Sequence, residues 1–258
     1  MWKGIDVSDN QGVIDWEQVA TAKVSFAILR SVRRSGKTDY QFAVNLEGCR
    51  KYGIPVSVYK YTYATTPEAA RQEAQQVVEL LRSHHLTGTM VWWDVEDKDV
   101  LRPLGARKLT ECIRAAQEVI TAAGYGFGLY VGLYVYKERW FDFNAFAGIR
   151  LWVARYYRGY RTMTFDDGPD QSYKPSVNQD ITAWQYTSCG EIAGIKGDVD
   201  LDIAYEDPML WSQPAVEPGV IYTVSVADVW TKELAEIAQQ QFAARGIDGV
   251  VHKVKILE

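Results

Sequence analysis

The sequence predicts an α/β protein: an irregular TIM-like (β/α)5(β)3 barrel followed by a small β-α-β module at the C-terminus. Three observations carry that expectation. Short apolar runs alternate with amphipathic segments through the first half of the chain, as in parallel strands joined by crossover helices. Beyond about residue 141 the helical segments stop and three more strand-like runs follow. Eight strands with crossovers between the early ones fit a closed barrel.

Taken in order, residues 4–7 (GIDV) read as the first strand, and a polar SDNQG loop leads to a short helix from Asp15. The second strand covers 24–30. A helix starts near Asp39, with Phe42, Leu46 and Cys49 on its inner face and Gly53 capping its end. The third strand is 54–61. Thr66-Pro67-Glu68 combines an N-cap with proline at the first helical position, and that helix runs to about Ser83. The apolar run 89–93 (TMVWW) is the fourth strand. A long helix over 105–123 closes at Gly124, the fifth strand is 127–131, and a short helical piece lies around 135–141. Strands six to eight fall at 151–155, 181–186 and 197–201. The barrel thus takes residues 1–210. Pro214, Pro218 and Gly219 mark 211–219 as a linker. Residues 220–258 form the small module: a strand at 221–226, a helix at 229–244 and a strand at 250–256.

Composition narrows the function. The 258 residues are 47% hydrophobic, ample for a sizeable core, and nine Trp beside sixteen Tyr suit both core packing and stacking on sugar rings. Net charge is −5 with no Lys/Arg block, so no nucleic-acid partner is expected. Cys49, Cys112 and Cys189 are far apart, His84 and His85 adjacent, and His252 alone, so neither a disulfide framework nor a zinc spacing follows and no metal or cofactor is expected. The opening MWKGID lacks the apolar core of a signal peptide, and the longest apolar run, 127–136, is too short to span a bilayer. The expectation is a chain without an export signal of its own and without membrane insertion.

The stretch VWWDVED (91–97) runs two indoles straight into carboxylates. Asp94 and Glu96, two apart on a strand, would project to one face roughly 7 Å from each other. Burying them costs free energy unless partners or function compensate. Acidic-x-acidic triplets also arise by chance, and this chain holds five, so position must decide. In α/β barrels chemistry sits at the C-terminal strand ends. Asp6 lies there on the first strand, Asp94 and Glu96 on the fourth, and Asp198 or Asp200 near the eighth. Asp15-Glu17 opens a helix, where acids meet the dipole favourably. A pocket of several carboxyls fits either a hard divalent cation or glycosidic chemistry. Tyr59, Tyr61, Trp152, Tyr156, Trp184 and Tyr186, near the ends of strands three, six and seven, favour sugar.

Four segments together, GIDVSDNQGVIDW (4–16), WWDVED (92–97), LWVARY (151–156) and WQYTSCGEIAGIKGDVDLD (184–202), resemble the motifs of the family-25 glycoside hydrolases. These are lysozymes acting as N-acetylmuramidases on bacterial peptidoglycan. The resemblance runs in order over about residues 3–207 and implies five β/α units followed by three strands. It places the family's acid/base glutamate on Glu96, its partner aspartate on Asp94 and its pocket aspartates on Asp6 and Asp200. It further implies that Tyr59, Tyr61, Trp152, Tyr156, Trp184 and Gln185 line the sugar groove, and that the protein acts on the cell wall. One departure is Lys60, where members often carry His. It either brings a cation to the acidic pocket or turns outward to the surface. Residues 220–258 resemble half of a SPOR-like repeat, too small to bury a stable core alone. They are expected to target the wall or to form a homodimer, unless they are a truncated remnant. The alternative to an enzyme is a catalytically silent carbohydrate-binding barrel, which would usually lack one of the four acids. A chitinase-type barrel would need a longer D-x-x-D-x-D-x-E run than the single Asp94 before Glu96 provides.

Overall fold

The computed structural model describes residues 1–211, so all but the first residue of the expected linker, and the module at 220–258, lie outside the described residues. Eight strands close into one barrel in sequence order: β1 (Trp2–Val7), β2 (Phe26–Arg30), β3 (Val56–Tyr61), β4 (Met90–Asp94), β5 (Gly126–Gly132), β6 (Arg150–Ala154), β7 (Ala183–Gly190) and β8 (Val199–Ala204). Strands β1 to β7 run parallel, and β8 runs antiparallel to both β7 and β1. Five helices accompany the first five strands: α1 (Trp16–Thr21), α2 (Phe42–Lys51), α3 (Pro67–Ser83), α4 (Gly105–Ala122) and α5 (Leu133–Lys137). All eight expected barrel strands are present. The short fifth helix starts two residues earlier than its spacing suggests, and β7 and β8 each begin two residues later than expected and end further along the chain.

Local chemistry explains the boundaries. Asp15 caps α1 by accepting from the Glu17 and Gln18 N–H groups, and Thr66 caps α3 by accepting from Ala69 N at 3.2 Å. Gly53, at φ +68°, lets the chain leave α2 in the left-handed region. Gly128 meets a different demand. A Cβ there would sit 2.6 Å from the Trp92 ring, so only glycine lets β5 pass the indole.

Strand alternation divides the apolar residues between two cores. The larger fills the layer between barrel and helices and includes Val91, Trp93, Leu129, Leu151 and Trp184. The smaller fills the lumen with Phe26, Ile28, Met90, Trp92, Tyr130 and Trp152. Trp211, just beyond β8, plugs the bottom of that lumen edge-on against Phe26 (5.0 Å) and Trp92 (5.3 Å). The lumen is therefore a solid floor with an open upper mouth at the C-terminal ends of β1 to β7.

Candidate active site

Antiparallel closure is what brings the acids together. Because β8 runs against its neighbours, its beginning rather than its end lies at the mouth. Asp200 there pairs in register with Asp6 of β1, and both face the lumen. Asp94 ends β4 on the opposite side of the barrel. Glu96 lies two residues past the strand, yet Val95 N–H continues the ladder to Tyr130 O (3.0 Å) and the Tyr134 hydroxyl donates to Glu96 O (3.0 Å). That pair of bonds holds the Glu96 backbone over the mouth. Asp97 turns away and accepts from Asp99 N and Val100 N, capping the following turn.

Burial sets the charge state of these groups. It is the largest cause pushing Glu96 up to about 7, with the Asp200 and Asp97 charges adding to it. Burial likewise pushes Asp200 up to about 7. Asp94, only 3% exposed, is raised well above the usual carboxylate range by burial and then by Glu96, with Lys60 opposing. Asp6 is raised by burial and by the Asp200 and Asp202 charges. A mouth of this kind can hold protons on carboxyls at neutral pH, which an acid donating to a leaving group requires.

A polar fan orients the acid on β1. Gln185 Nε2 donates to Asp6 Oδ2 (2.7 Å), while Gln185 Oε1 accepts from both Tyr130 and Tyr156 hydroxyls (2.7 Å each). Strands β1 and β5 and the segment just past β6 thus converge on one amide of β7. Tyr59 and Tyr61 stand on the lumen face of β3, part-exposed, and Tyr61 stacks on Tyr63 at 4.8 Å. Trp152 supports Tyr130 (4.3 Å) and Tyr59 (6.5 Å) from below and is 1% exposed, so it forms the floor of the mouth and not a wall.

Trp184 does not line the groove. It is fully buried on the outer face of β7, donates to Arg155 O (3.0 Å) and packs against Tyr157 and Tyr186. Neighbours on a strand face opposite ways, so placing Gln185 inside the lumen puts Trp184 and Tyr186 outside it. Lys60 is not the surface residue of the second alternative, and its charge opposes the rise at Asp94. It turns away from the lumen but is buried, facing Glu73 of α3 at 3.6 Å.

Three participants escaped the sequence reading. Asp202 is fully buried beneath Asp6 and accepts from Trp152 Nε1 (2.8 Å). Its two-residue spacing from Asp200 was the available signal. Tyr130 and the Arg30 cluster had none. Arg30 ends β2 at the mouth and pairs with Asp9 and with Asp39 (2.7 Å for the latter), which ties the β1 and β2 loops together. Among the described residues no His, Cys, Asp and Glu side chains are grouped as a metal site, and no helix is long and apolar enough to cross a membrane.

Known proteins share this architecture. The lysozyme from Streptomyces coelicolor matches in fold with a TM-score of 0.66 at 21% identity, over 82% of this chain and 95% of that one. The catalytic domain of endolysin Ply40, from bacteriophage P40 of Listeria monocytogenes, matches with a TM-score of 0.65 at 25% identity, over 83% of this chain and 98% of that one. The autolytic lysozyme of Clostridium acetobutylicum is 22% identical over 84% of this chain, and the chain spans 60% of its length. The model of the glycosyl hydrolases family 25 matches residues 5–195, most of the barrel. The chain belongs to the glycosyl hydrolases of family 25.

Proposed function

We propose that this protein is a lysozyme-type peptidoglycan hydrolase acting on the bacterial cell wall. As an N-acetylmuramidase it cleaves the β-1,4 bond between N-acetylmuramic acid and N-acetylglucosamine. The observation that carries the reading is the convergence of Asp6, Asp94, Glu96 and Asp200 at one mouth, with Glu96 held protonated up to about pH 7. Membership of the family supports it, as do relatives described as lysozymes, an autolysin and endolysins.

Glu96 gives its proton to the glycosidic oxygen as the bond from the sugar C1 breaks. Water then completes hydrolysis and returns a proton to the site. Asp94 stands beside the reacting carbon, steering the substrate's 2-acetamido group or the water. Asp6 and Asp200 surround the same pocket, and Tyr59, Tyr61 and Tyr156 offer ring faces and hydroxyls to the sugars. The segment 220–258 serves wall targeting or self-association. Clearing of purified cell-wall suspensions tests the reading: the wild type lyses walls, whereas a barrel that binds them without loss of turbidity is a carbohydrate-binding module and the proposal fails.

A further inference from the structure

The mouth is lined by carboxyls, yet the polymer proposed to enter it is itself an acid. Each muramic residue carries a lactyl carboxylate, or a peptide with free carboxylates attached through that lactyl group. Asp6, Asp94, Glu96 and Asp200 meet such a substrate with like charge wherever they are ionised. A cation at the rim would offset the repulsion. Three cations near the mouth are already engaged: Arg30 with Asp9 and Asp39, Lys60 with Glu73, and Arg155 with the Tyr173 carbonyl.

The hairpin between β2 and α2 supplies a different one. Residues 32–38 (VRRSGKT) hold three basic side chains and no acid. Val32 and Thr38 bridge antiparallel, Arg33 N donates to Lys37 O (2.8 Å) and Gly36 N donates to Arg33 O (3.0 Å). This is a closed turn in which Gly36 takes φ +77°. Arg33 serves the hairpin itself: its Nε donates to Thr38 O (3.1 Å) and its guanidinium lies over Tyr40 (3.6 Å). Arg34, at the tip, is exposed, and its guanidinium carbon lies 4.4 Å from the centre of the Tyr63 ring. Tyr63 stacks in turn on Tyr61 at 4.8 Å, and Tyr61 pairs in register with Asp94. One run of rings therefore leads from the reacting acids out to a cation. Among the described residues no carboxylate pairs with Arg34. The ring contact restrains the guanidinium and leaves its N–H donors for an anion, at a smaller entropic cost than for an arginine loose in solvent.

We propose that Arg34 forms an anion subsite of the substrate groove: seated on Tyr63, it binds a carboxylate on the lactyl side of the muramic residue, that residue's own or one in a peptide attached to it. The inference rests on the reading of the substrate as peptidoglycan. It makes the β2–α2 hairpin a specificity element, selecting strands that carry carboxylates over neutral glycans.

Kinetics of the full chain on three forms of one soluble strand test it: with peptides, stripped of peptides to the lactyl carboxylate, and with every carboxyl amidated. Arg34→Gln should lower kcat/KM on peptide-bearing strands by about three- to tenfold, through KM, and affect amidated strands much less. Arg34→Lys keeps the charge and should recover part of the loss, and added salt should shrink the wild type's preference for the charged strands. The stripped strands name the anion: a loss there equal to that on peptide-bearing strands assigns the lactyl carboxylate, and no loss there assigns the peptide. Arg107→Gln removes an equal charge from an exposed position of α4 and should match the wild type on all three forms. Equal losses on all three forms in Arg34→Gln, or none on any, overturn the proposal, as does the same selective loss in Arg107→Gln. If the wild type cleaves no strand, the functional reading fails separately. Equilibrium binding of peptide-bearing and amidated strands to the wild type and to Arg34→Gln then decides the subsite.

Discussion

Glu96 concentrates the chemistry and its cost in one side chain. Glu96→Gln occupies the same space but has no acidic proton, so wall lysis should fall by about 10²–10⁴-fold with the circular dichroism spectrum unchanged. Near wild-type lysis would remove Glu96 from its role. The pH dependence follows with a definite sign. Glu96 is protonated below about 7, so activity should decline as pH rises through 7, and a flat profile to pH 9 would contradict a protonated acid. Stability carries the same signature. Glu96 and Asp200 bind protons more tightly folded than unfolded, so the folded state loses stability as pH rises from the ordinary carboxylate range to about 7. Glu96→Gln should therefore raise the melting temperature above pH 7 and have no such effect below pH 4. The gain is about 1–2 kcal/mol, scaled down from the full shift because water reaches part of the side chain. Calorimetry at the two pH values checks it.

Among the elements, β7 separates structural from functional side chains most cleanly. Trp184→Ala should cost about 3–5 kcal/mol of stability through a buried aromatic cavity, read as a lower melting temperature, and leave KM for glycan oligomers unchanged. Tyr156→Phe, one hydrogen bond from Gln185, should change KM or kcat at nearly unchanged stability. A KM rise in the first variant without loss of stability would return Trp184 to the groove. Adjacent residues 184 and 185 cannot share a lumen face, so the period of two was enough to choose between them. The same period would have put Asp202 beside Asp200. All eight strands were legible as apolar runs bounded by turn residues, and Asp15, Thr66 and Gly53 marked helix ends through local hydrogen-bond chemistry. The link between Arg30, Asp9 and Asp39 was not legible. It joins loops through side chains with no local pattern, and only closure of the barrel brings them together. Lys60 was ambiguous for a related reason: alternation turns it out of the lumen, but only the packing of α3 shows that outward here means buried against Glu73.

For the molecule as a whole, closure through an antiparallel β8 is the device that makes a site, because it delivers Asp200 to the mouth opposite Asp94. Trp211 packs into the other end of the lumen against Phe26 and Trp92. The chain spans 60% of the Clostridium acetobutylicum autolytic lysozyme and 46% of the modular pneumococcal autolysin LytC, so what surrounds the barrel differs among relatives. Removing residues 214–258 should keep hydrolysis of soluble glycan oligomers and reduce binding to intact walls in a pull-down assay. Full wall affinity and an unchanged mass in solution would show that the segment neither targets nor pairs. The most direct test of the central claim is chemical: digest purified peptidoglycan, reduce the new ends with borohydride and identify the reduced sugar. Muramic acid at the new reducing ends is the predicted result, absent with Glu96→Gln; N-acetylglucosamine ends, or no new ends at all, would contradict it.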